Sequence, residues 1–188
     1  MNEVIQRVFD FWFGAAGSEQ NGQYRDAWFK KDDAFDTAIR GGFLADYEAA
    51  ANGDYDALAD TPLGSLALII LLDQFSRNLF RGSPKTFAAD AKALKAAKRA
   101  LDRGFDADMA EVQKLFLYLP FEHSEVLADQ ERSVALFKAL GNENLIDYAV
   151  RHYDIVAKFG RFPHRNTVLG RPSTPEEEVF LTEPGSSF

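Results

Sequence analysis

The chain has no cysteine in its 188 residues. Disulfides, thiolate zinc sites and cysteine nucleophiles are thereby excluded. Long hydrophobic runs are missing as well. The longest, Leu66–Leu72, holds seven residues, far short of the roughly 20 that span a bilayer. The opening "MNEVIQRVFDFWFG" has an early Glu and no basic stretch before its apolar residues, so it does not read as a secretory signal. Positive charge is scarce: 21 Lys and Arg stand against 29 Asp and Glu, for a net charge of −8. An acidic surface argues against nucleic acid and anionic membranes as partners. These absences predict a soluble, cytoplasmic protein. No stretch alternates with the period of a β-strand, and there is no G-x-S-x-G elbow, P-loop or G-x-G-x-x-G.

What is present is helical periodicity on an aromatic-rich background of 17 Phe. Val4, Ile5, Val8, Phe9, Trp12 and Phe13 recur at i, i+3, i+4. Gly14–Gly22 reads as a polar loop. Phe35, Ile39, Phe43 and Tyr47 make a second stripe, which Gly41-Gly42 should weaken or bend. Thr61-Pro62 and Ser83-Pro84 read as helix starts, a capping hydroxyl followed by Pro. A solvent-facing helix is expected over 88–103, ending at Gly104. Another is expected over 108–119, broken or kinked by Pro120. Two more are expected over 121–140 and 143–158, and Thr174-Pro175-Glu176-Glu177 carries a capping box. The pattern is all-α, with stacked antiparallel helical hairpins but no convincing 34-residue repeat. The length suits a single helical domain, residues 1–188, with a C-terminal extension at about 159–188 packing on the stack.

Charge is not evenly spread. Residues 151–171 hold Arg151, Lys158, Arg161, Arg165 and Arg171 against Asp154 alone. The centre of that stretch, "FGRFPHRN", packs two arginines, a histidine and an asparagine between phenylalanines. Helical projection adds inward-pointing polar residues. If 121–140 is one helix, His123 and Gln130 fall within its apolar arc, while Glu122 and Asp129 fall outside it. On the next helix His152 sits in the middle of the apolar face. Glu122 and Glu125 read as a solvated face, although Glu125 is also placed to orient a histidine. In "LALIILLDQFSRNLFR", Asp73, Gln74, Arg77, Asn78 and Arg81 share an arc of about 140°, expected to line a cleft. Asp73–Arg77 and Gln74–Asn78 are i, i+4 pairs.

These residue types suit an anion. Arg161 and Arg165 are forked donors for carboxylate or phosphate, and Asn166 adds an amide. His123 and His164 are candidate general acids or bases near neutral pH. Ser124 beside His123 does not form a dyad, because helical neighbours diverge by about 100°. No H-x-x-x-H or E-x-x-H spacing supports a metal site, and no cofactor is implied.

Three segments carry a family resemblance: "TPLGSLALIILLDQFSRNLFRGSP", "YLPFEHSEVLADQERSVALF" and "RHYDIVAKFGRFPHRNTVLGRPSTPEEEVFL". They resemble the bacterial domain-of-unknown-function family numbered 924, nearly end to end. The resemblance implies an all-helical, tetratricopeptide-like fold, an α-α superhelix, and implies no reaction. Its signature positions fall on Asp73, Gln74, Arg77, Asn78, Arg81, His123, Ser124, Glu125, Gln130, Arg161, Pro163, His164, Arg165 and Asn166. Glu122 stands where that pattern leads one to expect an apolar residue such as Met.

Three functions follow as expectations. The first is a binding module for a small anionic ligand or a carboxylate-bearing peptide end, held by Asp73, Gln74, Arg77, Asn78, Gln130, His152, Arg161, Arg165 and Asn166. The second is a small enzyme acting on an anionic metabolite through His123 or His164. The third takes the polar cluster as an internal network that fixes helix packing and binds nothing. A homodimer stays open, because the Phe-rich segments serve either a dimer interface or the core.

Overall fold

The computed structural model describes residues 2–187, and among them there is no β-strand. The chain is all-α. It forms α1 (Glu3–Phe13), α2 (Asp33–Asn52) and α3 (Pro62–Ile69), then a π-helical stretch, Ile70–Phe75, that leads into α4 (Ser76–Leu79). There follow α5 (Asp90–Asp102), α6 (Glu111–Glu122), α7 (Leu127–Leu140), α8 (Glu143–Phe159), α9 (Asn166–Leu169) and α10 (Pro175–Phe180). No helix of the described residues is long and apolar enough to cross a membrane.

The chain forms two compact units. The first comprises the chain up to Arg81 together with Lys85–Pro120; the second comprises Gly82–Pro84 and the chain from Phe121 onward.

The first unit has an aromatic centre. Trp12 packs against Trp28, Phe35, Phe75 and Phe116, with ring centroids 5.2–5.8 Å apart. Such tilted and edge-on pairs add to the burial of large apolar surface. α2 runs unbroken through Gly41-Gly42, contrary to the expected weakening; both glycines are exposed and tertiary packing on Phe35, Ile39 and Phe43 holds the helix. Thr61 caps α3 as expected, its Oγ1 accepting from Gly64 N with Pro62 at the first position. Ser83-Pro84, in contrast, opens only a 3-10 turn, Pro84–Phe87, and α5 starts at Asp90. α5 is not wholly solvent-facing, since Ala93, Ala96, Ala97 and Ala100 form a buried stripe.

Two glycines should respond in opposite senses to alanine. A Cβ on exposed Gly42 meets nothing within 4 Å, so Gly42→Ala should stabilise by about 0.5–1 kcal/mol. A Cβ on Gly64 would overlap Leu58 O and lie 2.7 Å from Thr61 Oγ1, so Gly64→Ala should destabilise by about 1–3 kcal/mol. Thermal unfolding of both variants beside the parent tests the pair; a Gly64→Ala protein that melts higher would refute the close approach.

The second unit corrects the sequence reading most. α6 continues through Pro120 to Glu122, the chain turns, and α7 starts at Leu127. A single helix over 121–140 is therefore not formed. Val126 and Leu127, apolar residues that a continuous helix would turn inward, are 57% and 42% exposed, whereas Asp129, Gln130, Ser133, Leu136 and Phe137 are buried. Gln130 is inward for a local reason. Its Nε2 donates to the carbonyls of Glu122 (2.7 Å) and Ser124 (2.6 Å), capping the carbonyls at and beyond the end of α6. Gly141 in a left-handed conformation ends α7, Asn142 caps α8, and this short connection sets α7 antiparallel to α8. Ile155, Val156 and Phe162 form the local core, with Phe159 and Phe180 packed on it.

Candidate functional site

Asp73, Gln74, Arg77 and Asn78 lie in the first unit, on and just after the π-helical turn. π-turns of this kind are frequent at functional sites. Here the polar groups answer one another. Arg77 Nη1 sits 3.2 Å from Asp73 and 3.0 Å from Asp90, both carboxylates holding its positive charge in place. Gln74 Nε2 donates to Asp73 Oδ2 and Ser76 Oγ to the Asp73 carbonyl. Asn78 does not pair with Gln74; its amide donates to Asp36, which Arg81 also grips through Nε and Nη2. Burial pushes the Asp36 carboxyl up, but those Arg81 and Asn78 bonds outweigh it and hold it below its ordinary value. The arc splits into two ion-paired groups.

The other predicted residues lie in the second unit and divide again. Arg161 presents its fork to Glu177, Nε to Oε1 at 2.6 Å and Nη2 to Oε2 at 2.7 Å. Glu177 is also the N3 member of the capping box, accepting from Thr174 N at 2.8 Å. Asn166 Nδ2 donates to Glu177, while Asn166 Oδ1 accepts from Arg171 Nε. Arg171 then forks onto Glu125 at 2.7 and 2.9 Å, and Glu125 accepts from Phe162 N. So Glu125 is no solvated carboxylate and orients no histidine; its partner is Arg171. The Arg161 fork draws the Glu177 carboxyl down to about 2, against the opposing effect of burial.

What remains is compact. His152, His164 and Arg165 surround the buried ring of Phe162, and His123 lies beside His152. His152 packs on Phe162 edge-on with centroids 5.6 Å apart, and His164 lies 5.6 Å from the same ring. The His123 and His152 rings are 6.5 Å apart. The Arg165 guanidinium lies over Phe162 at 4.7 Å, and its Nη2 donates to the His123 carbonyl at 3.1 Å. His123 and His164 are half-buried, whereas His152 and Arg165 are buried.

The chemistry of His152 is specified. Its Nδ1 is 2.8 Å from the Tyr148 carbonyl, which only accepts, so Nδ1 carries the proton. Glu122 Oε1 lies 3.4 Å from the same atom. Burial drives the His152 pKa down to about 3; the Tyr148 carbonyl opposes this, and the nearby His123, His164 and Arg165 reinforce it. Glu122 is buried, and the expectation of a solvated position failed because it assumed a helix continuing past residue 122. Ser124 is occupied too, its Oγ donating to Asp129 at 2.9 Å. Among the described residues, no group of three or more His, Asp or Glu is arranged to hold a metal ion.

Phe162, Glu122, Arg171 and Glu177 are the participants that projection along single helices missed. Their partners lie on other segments, and only the apolar-cationic mixture of 159–166 hinted at them.

Known proteins place this arrangement within a lineage rather than a reaction. A protein of unknown function from Agrobacterium tumefaciens has a similar structure, with a TM-score of 0.86 and 41% identity over 95% of this chain and 97% of that one. No curated protein matches the chain. The family model described as "Bacterial protein of unknown function (DUF924)" matches residues 8–185, and with so much of its length covered the chain belongs to the DUF924 family.

Proposed function

We propose that the second unit binds a small anionic molecule, or the carboxylate end of a peptide, at His123, His164 and Arg165, with His152 behind them. The observation that carries this reading is the grouping of the three histidines of an acidic chain: His152 and His164 lie against the buried Phe162 ring that Arg165 covers, with His123 beside His152. A guanidinium seated on an aromatic face is pre-aimed for a planar or tetrahedral oxyanion, and half-buried imidazoles add donors at the rim. Asp73, Gln74, Arg77, Asn78, Gln130, Arg161 and Asn166 serve as framework in this reading, because their polar groups meet within their own unit. A tetratricopeptide-like stacking of hairpins, with α7 and α8 as one of them, and a cytoplasmic setting belong to the same proposal, as does action without nucleic acid or membrane.

A thermal-shift screen against phosphates, carboxylates and short peptides tests it, with Arg165→Gln and His164→Asn alongside. A ligand at 100 times its Kd stabilises by about 2.7 kcal/mol, a rise of roughly 5–10 °C for a chain of this length. The rise should shrink in both variants. If no anion raises the melting temperature, or both folded variants respond like the parent, the reading is wrong.

One observation favours a catalytic version: His152 is held as a single tautomer with a carboxylate at its Nδ1 side. In that version His123 or His164 acts as acid or base on the bound anion, and turnover follows a histidine titration.

A further inference from the structure

Exposed apolar side chains stand beside the histidine cluster, and they narrow the ligand class. Three of the segments that bring its members also present a large apolar residue to solvent. On α8, exposed Tyr148 lies one turn before His152, and side chains at i and i+4 share a helix face. Arg165 directly precedes α9, and exposed Leu169 ends that helix four positions on. His123 sits in the tight turn between α6 and α7, where Ser124 N donates to the Phe121 carbonyl and Val126 N to Ser124 Oγ. The exposed pair Val126 and Leu127 follows at once, and three residues of chain keep Val126 within about 11 Å of His123. Single exposed apolar residues are ordinary, whereas a set of them around polar side chains marks a place of binding.

Positive charge alone gives an anion a shallow hold here, since Glu122, Asp129 and the Glu125–Arg171 pair share the neighbourhood. Apolar contact is the second source of affinity, and its extent sets the size of the occupant. The four side chains leave on the order of 200–300 Å² of apolar surface uncovered. A stable protein interface needs roughly 800 Å² per partner, so a folded partner or a second copy of this chain finds too little. The four residues also come from three separate segments. That arrangement suits several separate side chains better than one continuous acyl chain.

Granting the anion site above, we propose that the second unit binds the free carboxylate end of a peptide whose last side chains are apolar. The carboxylate sits at Arg165 and the half-buried His123 and His164. The side chains lie against Val126, Leu127, Tyr148 and Leu169. Recognition is then double, and a peptide lacking either feature is a poor ligand.

Four probes separate the two contributions by titration calorimetry of the whole chain: N-acetyl-trileucine, N-acetyl-triglycine, N-acetyl-trileucine amide and octanoate. Trileucine should bind at least about tenfold tighter than triglycine, because each buried CH₂ adds about fourfold in affinity. The amide, with no anion to place, should bind at least about tenfold more weakly than the acid. A double variant, Val126→Ser with Leu127→Ser, should bring trileucine down toward triglycine. Equal affinity for trileucine and triglycine, or an unchanged preference in the folded double variant, overturns the apolar recognition and leaves the anion site standing. Octanoate binding tighter than trileucine does the same and makes the ligand an acyl chain. An amide as tight as its acid overturns the proposal, because the carboxylate then takes no part. If none of the four binds, the proposal falls, and phosphate decides the anion reading: a raised melting temperature keeps it, an unchanged one removes it too. The four probes on the parent protein decide the matter even if the double variant does not fold.

Discussion

Replacing Glu177 by alanine is expected to destabilise the chain by about 3 kcal/mol and to lower its melting temperature by roughly 6–12 °C. The carboxylate is 2% exposed and gathers Arg161, Asn166 and the Thr174 N–H on its two oxygens. Its removal takes away the carboxylate acceptor of Arg161 and Asn166, leaving them only the Pro172 carbonyl and the Ser173 hydroxyl, and dissolves the capping box of α10. Among the described residues, nearby Glu125 is committed to Arg171 and Glu176 to Lys158. The loss stays near the lower end of the range for broken ion pairs because Arg161 is 26% exposed and rehydrates in part. Glu177→Gln keeps the shape and one acceptor and should lose less. Thermal and urea unfolding of both variants check this; an alanine variant melting within a degree of the parent would rule out a structural role for the network.

The second large effect is a loss of stability in acid that begins earlier than carboxylate titration explains. His152 has a folded-state pKa of about 3, below its unfolded value of about 6.5. Between those values the unfolded chain binds a proton that the folded chain refuses, so stability rises with pH through the window. The contribution is fully present above about pH 6.5 and is lost as pH falls toward 3, at up to about 1.4 kcal/mol per pH unit. Glu177 acts later, because a carboxyl drawn down to about 2 gives up its contribution only as pH falls from about 4.5 toward that value. Urea unfolding at half-unit steps should therefore show a slope already at pH 6–5. His152→Gln, which keeps a donor for the Tyr148 carbonyl but cannot take the proton, should flatten that part of the curve. An unchanged slope in this variant would mean that His152 is not the group responsible.

Helix content was legible because it rests on local rules. The stripes of α1 and α8 and the caps at Thr61 and Thr174 depend on residues within one or two turns. The site was legible in part. The sequence marked the histidines, Arg165 and the unusual 159–166 stretch. It did not reveal that Arg161 and Arg171 are neutralised by Glu177 and Glu125, because those pairs span 16 and 46 positions and no periodicity links them. The most instructive failure is the helix expected over 121–140. Projection placed His123 and Gln130 inward on one surface. The chain instead breaks between them, and Gln130 faces inward to cap the carbonyls that the break exposes. His123 reaches the cluster from a turn, which explains how its carbonyl is available to Arg165.

The π-helical stretch Ile70–Phe75 has a consequence for how this chain tolerates length changes. A π-turn carries about one residue more than the α-turn it replaces. Deleting one residue there would let Pro62–Leu79 wind as ordinary α-helix, with its hydrogen bonds intact and little change in length. Everything after the deletion would keep roughly its angular position, because the π-turn spreads one extra residue over the same rotation. Asn78 would still face Asp36, and Arg77 would still face Asp90. A single-codon deletion in this stretch is thus tolerated by both the helix and its two ion-paired groups, whereas one in a plain α-helix turns everything beyond it by about 100°. The spare residue works as slack between the apolar start of that helix and its charged end.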